Sequence, residues 1–506
     1  MTPQTQRTQL GTELGTQPGT HSRAERETQP TTKPKTQRTS RVRLALGALL
    51  VLTLASLGSY DALAQRARRP SGGSSSLSQL PVVRERLDNG LRVVMSPDRS
   101  IPTVAVAIYY DVGSRNEVRG RSGFAHLFEH MMFQGSANVR KGEHFTFIDS
   151  RGGDMNGTTS SDRTNYYETL PSNDLALGLW LEADRMRSLA ITEENFENQR
   201  QTVKEERRQS YDNRPYMNSI LRINELAYGS YWPYAHSTIG DMADLDAATL
   251  PDVQAFFDAY YPPNNAVLSI SGDFDPAEAM VLVRQYFGDI PSRPVPAYEP
   301  GPIAPQTGEI VESMTDPLAP FPAFHVDYRI PPSREADHYA LEMLGLILGD
   351  GESSRLYRIL VKEREICQQL HVGTNDQRGP DLFSVFGIMA GTHQPAEARQ
   401  VVYEQLESIA QTGVTNRELQ KARNRVASYF VFGIQSSLDR AQRLAEFEMY
   451  YGNAELLRTE IDHYNAVTLA DIQRVAQQYF GPTQRTVLDV LPPAAAAGAA
   501  QNGANP

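Results

Sequence analysis

Two histidines and a glutamate stand close together in residues 123–132, which read G-F-A-H-L-F-E-H-M-M. His126 and His130 are four residues apart, and Glu129 lies between them. Residues four apart share one face of a helix, so both imidazoles can bind one divalent ion while the carboxylate stands beside it. Such a carboxylate can take a proton from a water that the ion activates. The spacing therefore predicts a hydrolytic metal site.

The alternative interpretation is that these are ordinary side chains of a buried helix. Leu127, Phe128 and Met131 make the helix strongly apolar. Burying two imidazoles and a carboxylate without a common partner costs free energy, however, and a metal ion supplies that partner. The order H-x-x-E-H, the reverse of H-E-x-x-H, is also typical of the inverted zinc peptidases. We therefore favour the metal interpretation.

A catalytic zinc site needs a third protein ligand and one open position. Residues 193–208, E-E-N-F-E-N-Q-R-Q-T-V-K-E-E-R-R, are predicted to form a polar helix that Thr192 caps. A charged run of this kind is more often a solvated, salt-bridged surface. The pattern alone leaves the third ligand open among several carboxylates of this helix.

Four further blocks resemble one protein family. They are G-G-D-M-N-G-T-T-S-S-D-R-T-N-Y-Y (152–167), V-K-E-E-R-R-Q-S-Y-D-N-R-P (203–215), H-S-T-I-G-D-M-A-D-L (236–245) and Y-Y-P-P-N-N-A-V-L-S-I-S-G-D-F-D (260–275). Together with H-x-x-E-H they resemble the pitrilysin/insulinase family of zinc peptidases, which includes insulin-degrading enzyme and mitochondrial processing peptidase. The resemblance spans most of residues 85–490.

The resemblance implies a role for each residue of the metal site. In the family the third ligand is a Glu about 76 residues after the second His, which here is Glu206, with Glu205 as the next candidate. His126, His130 and Glu206 would then bind one Zn²⁺ per chain. Glu129 would act as general base and later hand the proton to the leaving amine.

Two further positions matter for the substrate and for the tuning of the metal. Asn156 matches a family asparagine that contacts the substrate backbone, and its strand would dock an extended peptide by edge pairing. Without the resemblance, Asn156 is a turn residue after two glycines. Gln199 departs from the family, because many relatives carry a Glu seven residues before the third ligand. A neutral amide still orients a ligand but supplies less negative charge.

The second half departs from active single-chain relatives, which carry an Arg and, seven residues later, a Tyr that reach the substrate. In the block at 353–371 the equivalent positions are Val361 and Gln368. The offsets leave three alternatives, which are Arg355, Tyr357 and Arg364. Some bacterial and organellar relatives divide the work between a chain with H-x-x-E-H and a chain with the Arg/Tyr pair. The resemblance therefore implies a heterodimer with a related subunit.

A second function class is a catalytically silent scaffold or partner-binding subunit, which some relatives in respiratory complexes have become. Such relatives typically lose the metal motif, whereas this chain keeps the three ligands and the base. A metal-storage or sensor role would leave Glu129 without a purpose. The favoured function is therefore a zinc-dependent endopeptidase that hydrolyses extended peptides.

Length and charge limit the classes of protein to which this chain can belong. At 506 residues, with 40% hydrophobic and 22% charged residues, the chain is too long for a single compact core. The net charge of −11 disfavours nucleic acid, whose binding relies on basic side chains. The single cysteine, Cys367, excludes an internal disulfide.

The N-terminal sequence predicts export. Residues 1–64 resemble a disordered n-region followed by a signal peptide, in which Arg41 and Arg43 precede an apolar run at 44–55 and Ala-Leu-Ala at 62–64 offers a cleavage site. The apolar run is short for a membrane span, which needs about 20 residues. A periplasmic or secreted protein without a stable span is therefore favoured over an N-terminally anchored one.

The rest of the chain predicts an α/β (α+β) protein of two duplicated halves. Strand signals occur at 91–95, 103–110, 265–271 and 323–328, and a helix signal occurs at 175–189. The run 340–350 resembles the metal helix without its ligands, which favours duplication. The predicted organisation is a linker at 65–79, an N-terminal zinc peptidase domain at 80–290, a Pro-rich linker at 291–316, a C-terminal peptidase-like domain at 317–493 and a disordered tail at 494–506. The family implies that each half is a mainly antiparallel sheet with helices and that the halves form a clamshell.

Overall fold

The computed structural model describes residues 79–493. The predicted signal peptide, most of the linker that follows it and the predicted tail lie outside these residues. Within 79–493, no helix is both long enough and apolar enough to cross a membrane.

The first half of the chain forms a six-stranded sheet with the order β1-β2-β6-β3-β5-β4. Its strands are β1 (Val83–Arg86), β2 (Arg92–Pro97), β3 (Thr103–Tyr110), β4 (Asp154–Thr159), β5 (Thr164–Pro171) and β6 (Ala266–Gly272). β2 and β6 are parallel, and the other neighbours are antiparallel. β4 therefore lies at one edge of this sheet.

The second half forms a five-stranded sheet with the order β7-β11-β8-β10-β9. Its strands are β7 (Ile310–Thr315), β8 (Ala323–Ile330), β9 (Cys367–Thr374), β10 (Asp381–Met389) and β11 (Arg485–Leu491). Counted along the chain, both β2 to β6 and β7 to β11 are arranged first-fifth-second-fourth-third, and the first and fifth strands are parallel in both. The two sheets thus share one topology, which confirms the predicted duplication.

Helices surround both sheets. The first half contains α1 (Phe124–Met131), α2 (Glu143–Asp149), α3 (Leu175–Ser188), α4 (Glu193–Arg207), α5 (Met217–Tyr228), α6 (Trp232–Ala235), α7 (Met242–Ala247), α8 (Leu250–Tyr260) and α9 (Pro276–Phe287). The second half contains α10 (Ala336–Gly349), α11 (Arg355–Tyr357), α12 (Pro395–Thr412), α13 (Asn416–Phe432), α14 (Ser437–Tyr451), α15 (Glu460–Ala466) and α16 (Leu469–Tyr479). α10 follows β8 as α1 follows β3, so the run at 340–350 does occupy the place of the metal helix.

The unbroken apolar sequence of β3 reflects burial on both faces of the first sheet. Val104, Val106 and Ile108 point into the core that the helices of the first half cover. Ala105 and Ala107, on the opposite face, pack against residues of α14. A strand that is covered on both sides has no need of alternating polar residues, which is why this strand is easily predicted from sequence.

Each half lends a helix to the sheet of the other half. α14 covers the second face of the first sheet through residues such as Leu444. In return, α5 lies against the second sheet, where Arg222 forms two hydrogen bonds of 2.8 and 2.7 Å with Glu312 and where Ser219 lies 2.8 Å from His325 Nε2. The two like halves of the clamshell are therefore joined by exchanged helices.

We predict that Leu444→Ala lowers the free energy of unfolding by about 2–5 kcal/mol, because it leaves a cavity between α14 and the first sheet. Leu444 is fully buried, whereas Leu491 is 37% exposed, so Leu491→Ala serves as the matched control. The denaturant midpoint, followed by circular dichroism, measures the difference. Equal midpoints for the two variants would contradict the packing of α14 described above.

Candidate metal centre

The apolar side of α1 decides where its polar residues point. Leu127, Phe128 and Met131 are fully buried against the first core. With this side turned inward, His126 and His130 lie on the opposite side, where they remain partly exposed. The two rings lie edge to face with their centroids 4.8 Å apart, and one ring nitrogen of each lies within 4.8 Å of the other.

Helix α4 supplies the third candidate ligand through a stripe of residues at helical spacing. Thr192 caps this helix by accepting a hydrogen bond of 3.2 Å from the amide of Asn195, as the sequence predicts. Phe196, Gln199 and Val203 are buried along one side, and Glu206 continues that side one turn later.

Glu205 lies off this stripe. Its carboxylate is exposed and accepts hydrogen bonds from Arg208 and Gln209, which lie in the helical turn that follows α4. The geometry of α4 therefore turns Glu206, rather than the alternative Glu205, towards α1.

The structure brings the three candidate ligands together. Glu206 Oε2 lies 3.2 Å from His130 Nε2 and 3.7 Å from His126 Nε2. Two ligands with bonds of about 2.1 Å to a tetrahedral zinc ion stand about 3.4 Å apart, so these separations suit one such ion. Two imidazoles and one carboxylate are also a donor set that a catalytic zinc site uses, with the fourth position left open.

The electrostatics of the cluster favour a metal as well. Burial and the neighbouring His130 lower the pKa of His126 to about 4, and the hydrogen bond to His130 lowers the pKa of Glu206. Neutral imidazole and ionised carboxylate are the forms that bind zinc. The buried Nδ1 of His126 has no hydrogen-bond partner within residues 79–493.

Glu129 lies beside the ligands and is held by β4. The hydroxyl of Thr159 donates a hydrogen bond of 2.6 Å to Glu129 Oε2. Burial raises the pKa of Glu129 above its ordinary value, and the bond from Thr159 opposes this shift. Gly157 makes room for the carboxylate, because an added Cβ there would lie 3.2 Å from Glu129 Cγ.

A cavity of about 250 Å³ opens onto this cluster. Its lining residues are His126, Glu129, Gly157, Thr158, Thr159, Glu206, Tyr211, Thr238 and Ile239. Sequence reasoning assigned no role to six of these residues, which are Gly157, Thr158, Thr159, Tyr211, Thr238 and Ile239. A signal was present, because all six belong to the first three of the four sequence blocks that resemble the family.

The two other predicted site residues lie away from the ligand atoms. Asn156 is exposed on β4, and its side-chain oxygen accepts a hydrogen bond of 2.8 Å from the amide of Gly157. It is absent from the lining of the cavity but lies on the edge strand that contributes Gly157 to it. Gln199 is buried on α4, where its amide donates to Asn198 at 2.7 Å. Within residues 79–493 it forms no hydrogen bond with either imidazole.

The predicted positions of an Arg/Tyr pair are spread over several elements. Val361 lies in the helical turn at 358–363, and Gln368 on β9 donates a hydrogen bond to the carbonyl of Met389. Of the alternatives, Arg355 is engaged in an ion pair with Glu418, and Arg364 is exposed.

Comparison with known families agrees with this geometry. A family model described as insulinase (peptidase family M16) matches residues 92–228, and a model described as the peptidase M16 inactive domain matches residues 247–426. The chain therefore belongs to the insulinase family of peptidases, which confirms the resemblance drawn from its sequence.

Individual relatives with similar sequences or structures also support membership of this family. The chain is 31% identical to the zinc protease PqqE of Helicobacter pylori over 415 residues, which cover 80% of this chain and 92% of that protein. It is 24% identical to a probable mitochondrial-processing peptidase subunit beta of Arabidopsis thaliana, over 78% of this chain and 75% of the relative. The crystal structure of a protease from Helicobacter pylori superimposes with a TM-score of 0.78 at 28% identity, covering 82% of this chain and all of that one.

We predict that Glu206→Gln weakens Zn²⁺ binding more than 100-fold, beyond the roughly 10–100-fold effect of residues outside the ligand set. Glu205→Gln, which changes the exposed neighbour on the same helix, should bind Zn²⁺ as the unmodified protein does. Competition with a chromophoric chelator measures both affinities. Loss of zinc in the Glu205 variant with retention in the Glu206 variant would reverse the assignment.

Proposed function

We propose that this protein is a zinc-dependent endopeptidase that hydrolyses extended peptides. The observation that supports this most directly is the convergence of His126, His130 and Glu206 beside a carboxylate, Glu129, that a hydroxyl of β4 orients. A protein that only stores or senses a metal has no use for an oriented base at this place. Membership of the insulinase family supports the same chemistry.

Each residue of the site has a separate role in this hydrolysis. A zinc ion held by the three ligands would supply Lewis acidity, which activates water near neutral pH and polarises a peptide carbonyl. Thr159 fixes one oxygen of Glu129, so that the other oxygen is available to accept the proton of the attacking water. Glu129 lies beside the ligands, where it can accept that proton, and its protonated form would then donate to the departing amine.

Strand β4 provides the place for the substrate. Because β4 is at the edge of the first sheet, one side of its main chain is available to pair with an extended peptide. Thr158 and Thr159 at the end of the strand line the cavity at the ligands. A peptide paired with β4 therefore runs past Asn156 and reaches the metal site. Main-chain pairing of this kind selects extended polypeptide rather than a particular sequence.

The silent-subunit alternative has one observation in its favour, which is the match of residues 247–426 to a model described as an inactive domain. That match begins at residue 247 and lies entirely outside the segment that carries H-x-x-E-H and Glu206. It therefore bears on the second half of the chain, and the hydrolytic proposal rests on the first.

We predict that Glu129→Gln retains Zn²⁺ and lowers kcat for peptide cleavage by about 10²–10⁴-fold, because an amide cannot accept the proton. Glu193→Gln, an exposed change at the start of α4, is the control and should leave both properties unchanged. Hydrolysis of a quenched fluorescent peptide and metal analysis of the same samples give the two readings. Undiminished cleavage by the Glu129 variant would remove the general-base assignment.

We further propose that the protein is exported and acts with a related subunit that carries the Arg/Tyr pair. Neither Val361 nor Gln368 has the side chain that this task needs. Binding of the partner would bring an Arg and a Tyr to the substrate from a second chain.

Purification of the full chain from its native cell envelope should therefore co-purify a related protein, identified by mass spectrometry. We expect peptide cleavage by the complex to exceed that of the isolated chain by at least about tenfold, as expected when substrate-orienting groups are absent. Equal activity of the isolated chain and the complex would contradict a divided site.

A further inference from the structure

The first turn of α1 is capped by a residue from outside the helix. Gly123, at the position before the helix, has φ +86° and offers no side chain to the amides of the first turn. Glu117 bonds two of these amides, accepting from Gly123 N at 2.9 Å and from Ala125 N at 2.8 Å. A carboxylate at this end of a helix also interacts favourably with the helix dipole.

Glu117 is itself held by a closed ring of contacts. It is only 5% exposed, so its charge needs partners inside the protein. His236 Nε2 lies 3.0 Å from Glu117 Oε2, and His236 Nδ1 lies 2.7 Å from the carbonyl of Trp232. The indole of Trp232 in turn donates to the carbonyl of Glu117 at 2.8 Å and stacks on the imidazole at 3.9 Å.

The segment that begins at His236 also reaches the helix of the third ligand. Gly240 lies against Gly123 so closely that an added Cβ at Gly240 would be 2.5 Å from Gly123 Cα. The guanidinium of Arg207, the residue after Glu206, donates to the carbonyl of Gly240. Residues 236–240 therefore touch both the start of α1 and the end of α4.

We infer that Glu117 and His236, with residues 236–240, form a clamp that sets the distance between the imidazoles of α1 and the carboxylate of α4. Glu117 and His236 are positioning residues, because neither touches the ligand atoms. The inference deepens the proposed function, and only its predicted effect on zinc binding rests on that function. The contacts that define the clamp are properties of the chain.

Substitutions at position 236 separate the two contacts of the imidazole. The carbonyl of Trp232 can only accept, so Nδ1 is the donor there. Asn places its amide near the position of Nδ1 and loses the contact with Glu117. Gln places its terminal amide, which can both donate and accept, near the position of Nε2 and so keeps a hydrogen-bond partner for Glu117. His236→Gln should therefore rescue what His236→Asn loses.

The experiment compares His236→Asn, His236→Gln and Glu117→Gln with His393→Asn, a control at an exposed histidine on the second half. We expect Zn²⁺ affinity, measured by chelator competition on the full chain, to fall about 10–100-fold in His236→Asn and Glu117→Gln. His236→Gln should stay within about threefold of the unmodified protein, and the control should be unchanged. The clamp would be overturned if His236→Asn and Glu117→Gln both bound Zn²⁺ as tightly as the unmodified protein. It would also be overturned if His236→Asn and His236→Gln lost the same amount of affinity.

Amide hydrogen exchange of the metal-free protein tests the clamp independently of zinc. In His236→Asn and Glu117→Gln the amides of residues 123–131 should exchange at least about tenfold faster than in the unmodified protein, while the amides of the second sheet keep their rates. Unchanged exchange at 123–131 would overturn the inference. If the unmodified protein binds no zinc, the proposed function fails. Amide hydrogen exchange of residues 123–131 then tests the clamp by itself. If His236→Asn does not fold, the comparison of Glu117→Gln with the unmodified protein decides it.

Discussion

The burial of the apolar side of α1 is the constraint on which the metal centre depends. Leu127, Phe128 and Met131 cannot leave the core without exposing apolar area that contributes about 1.5–3 kcal/mol per side chain. Because a helix turns as a rigid body, fixing this side fixes the imidazoles on the other side. The place that they share is then completed by one residue of a second helix, whose own buried stripe turns Glu206 towards them. Hydrophobic packing thus sets the directions in which the polar ligands point, and the proposed clamp sets the distance between them.

Features that depend on local sequence could be predicted, and features that depend on distant contacts could not. The strand at 103–110 and the cap at Thr192 follow from patterns within a few residues and have the predicted bounds. The choice of Glu206 as the third ligand required a family resemblance, because residues 193–208 contain several carboxylates that the sequence pattern does not distinguish. The contact between Glu117 and His236 joins residues 119 positions apart. No periodicity indicates such a pair, although both residues lie near blocks that were recognised.

The duplicated halves show how little the arrangement of strands says about chemistry. Strands β2 to β6 of the first sheet have the same order and the same parallel pair as the five strands of the second, and α10 takes the place of α1. The side chains differ, and with them the role that each half can play. A search that matched only the topology would assign two like sites to this chain. The residues on α1 and α4 confine the zinc proposal to the first.

The exchange of α5 and α14 has a consequence for how the chain reaches its folded state. The face of the first sheet that carries Ala105 and Ala107 stays bare until residues 437–451 have left the ribosome. The N-terminal sheet therefore cannot mature during synthesis of its own segment, and its apolar face stays exposed until that helix has been made. A folding intermediate with such an exposed apolar face is prone to aggregate, so completion of the C-terminal half protects the N-terminal sheet.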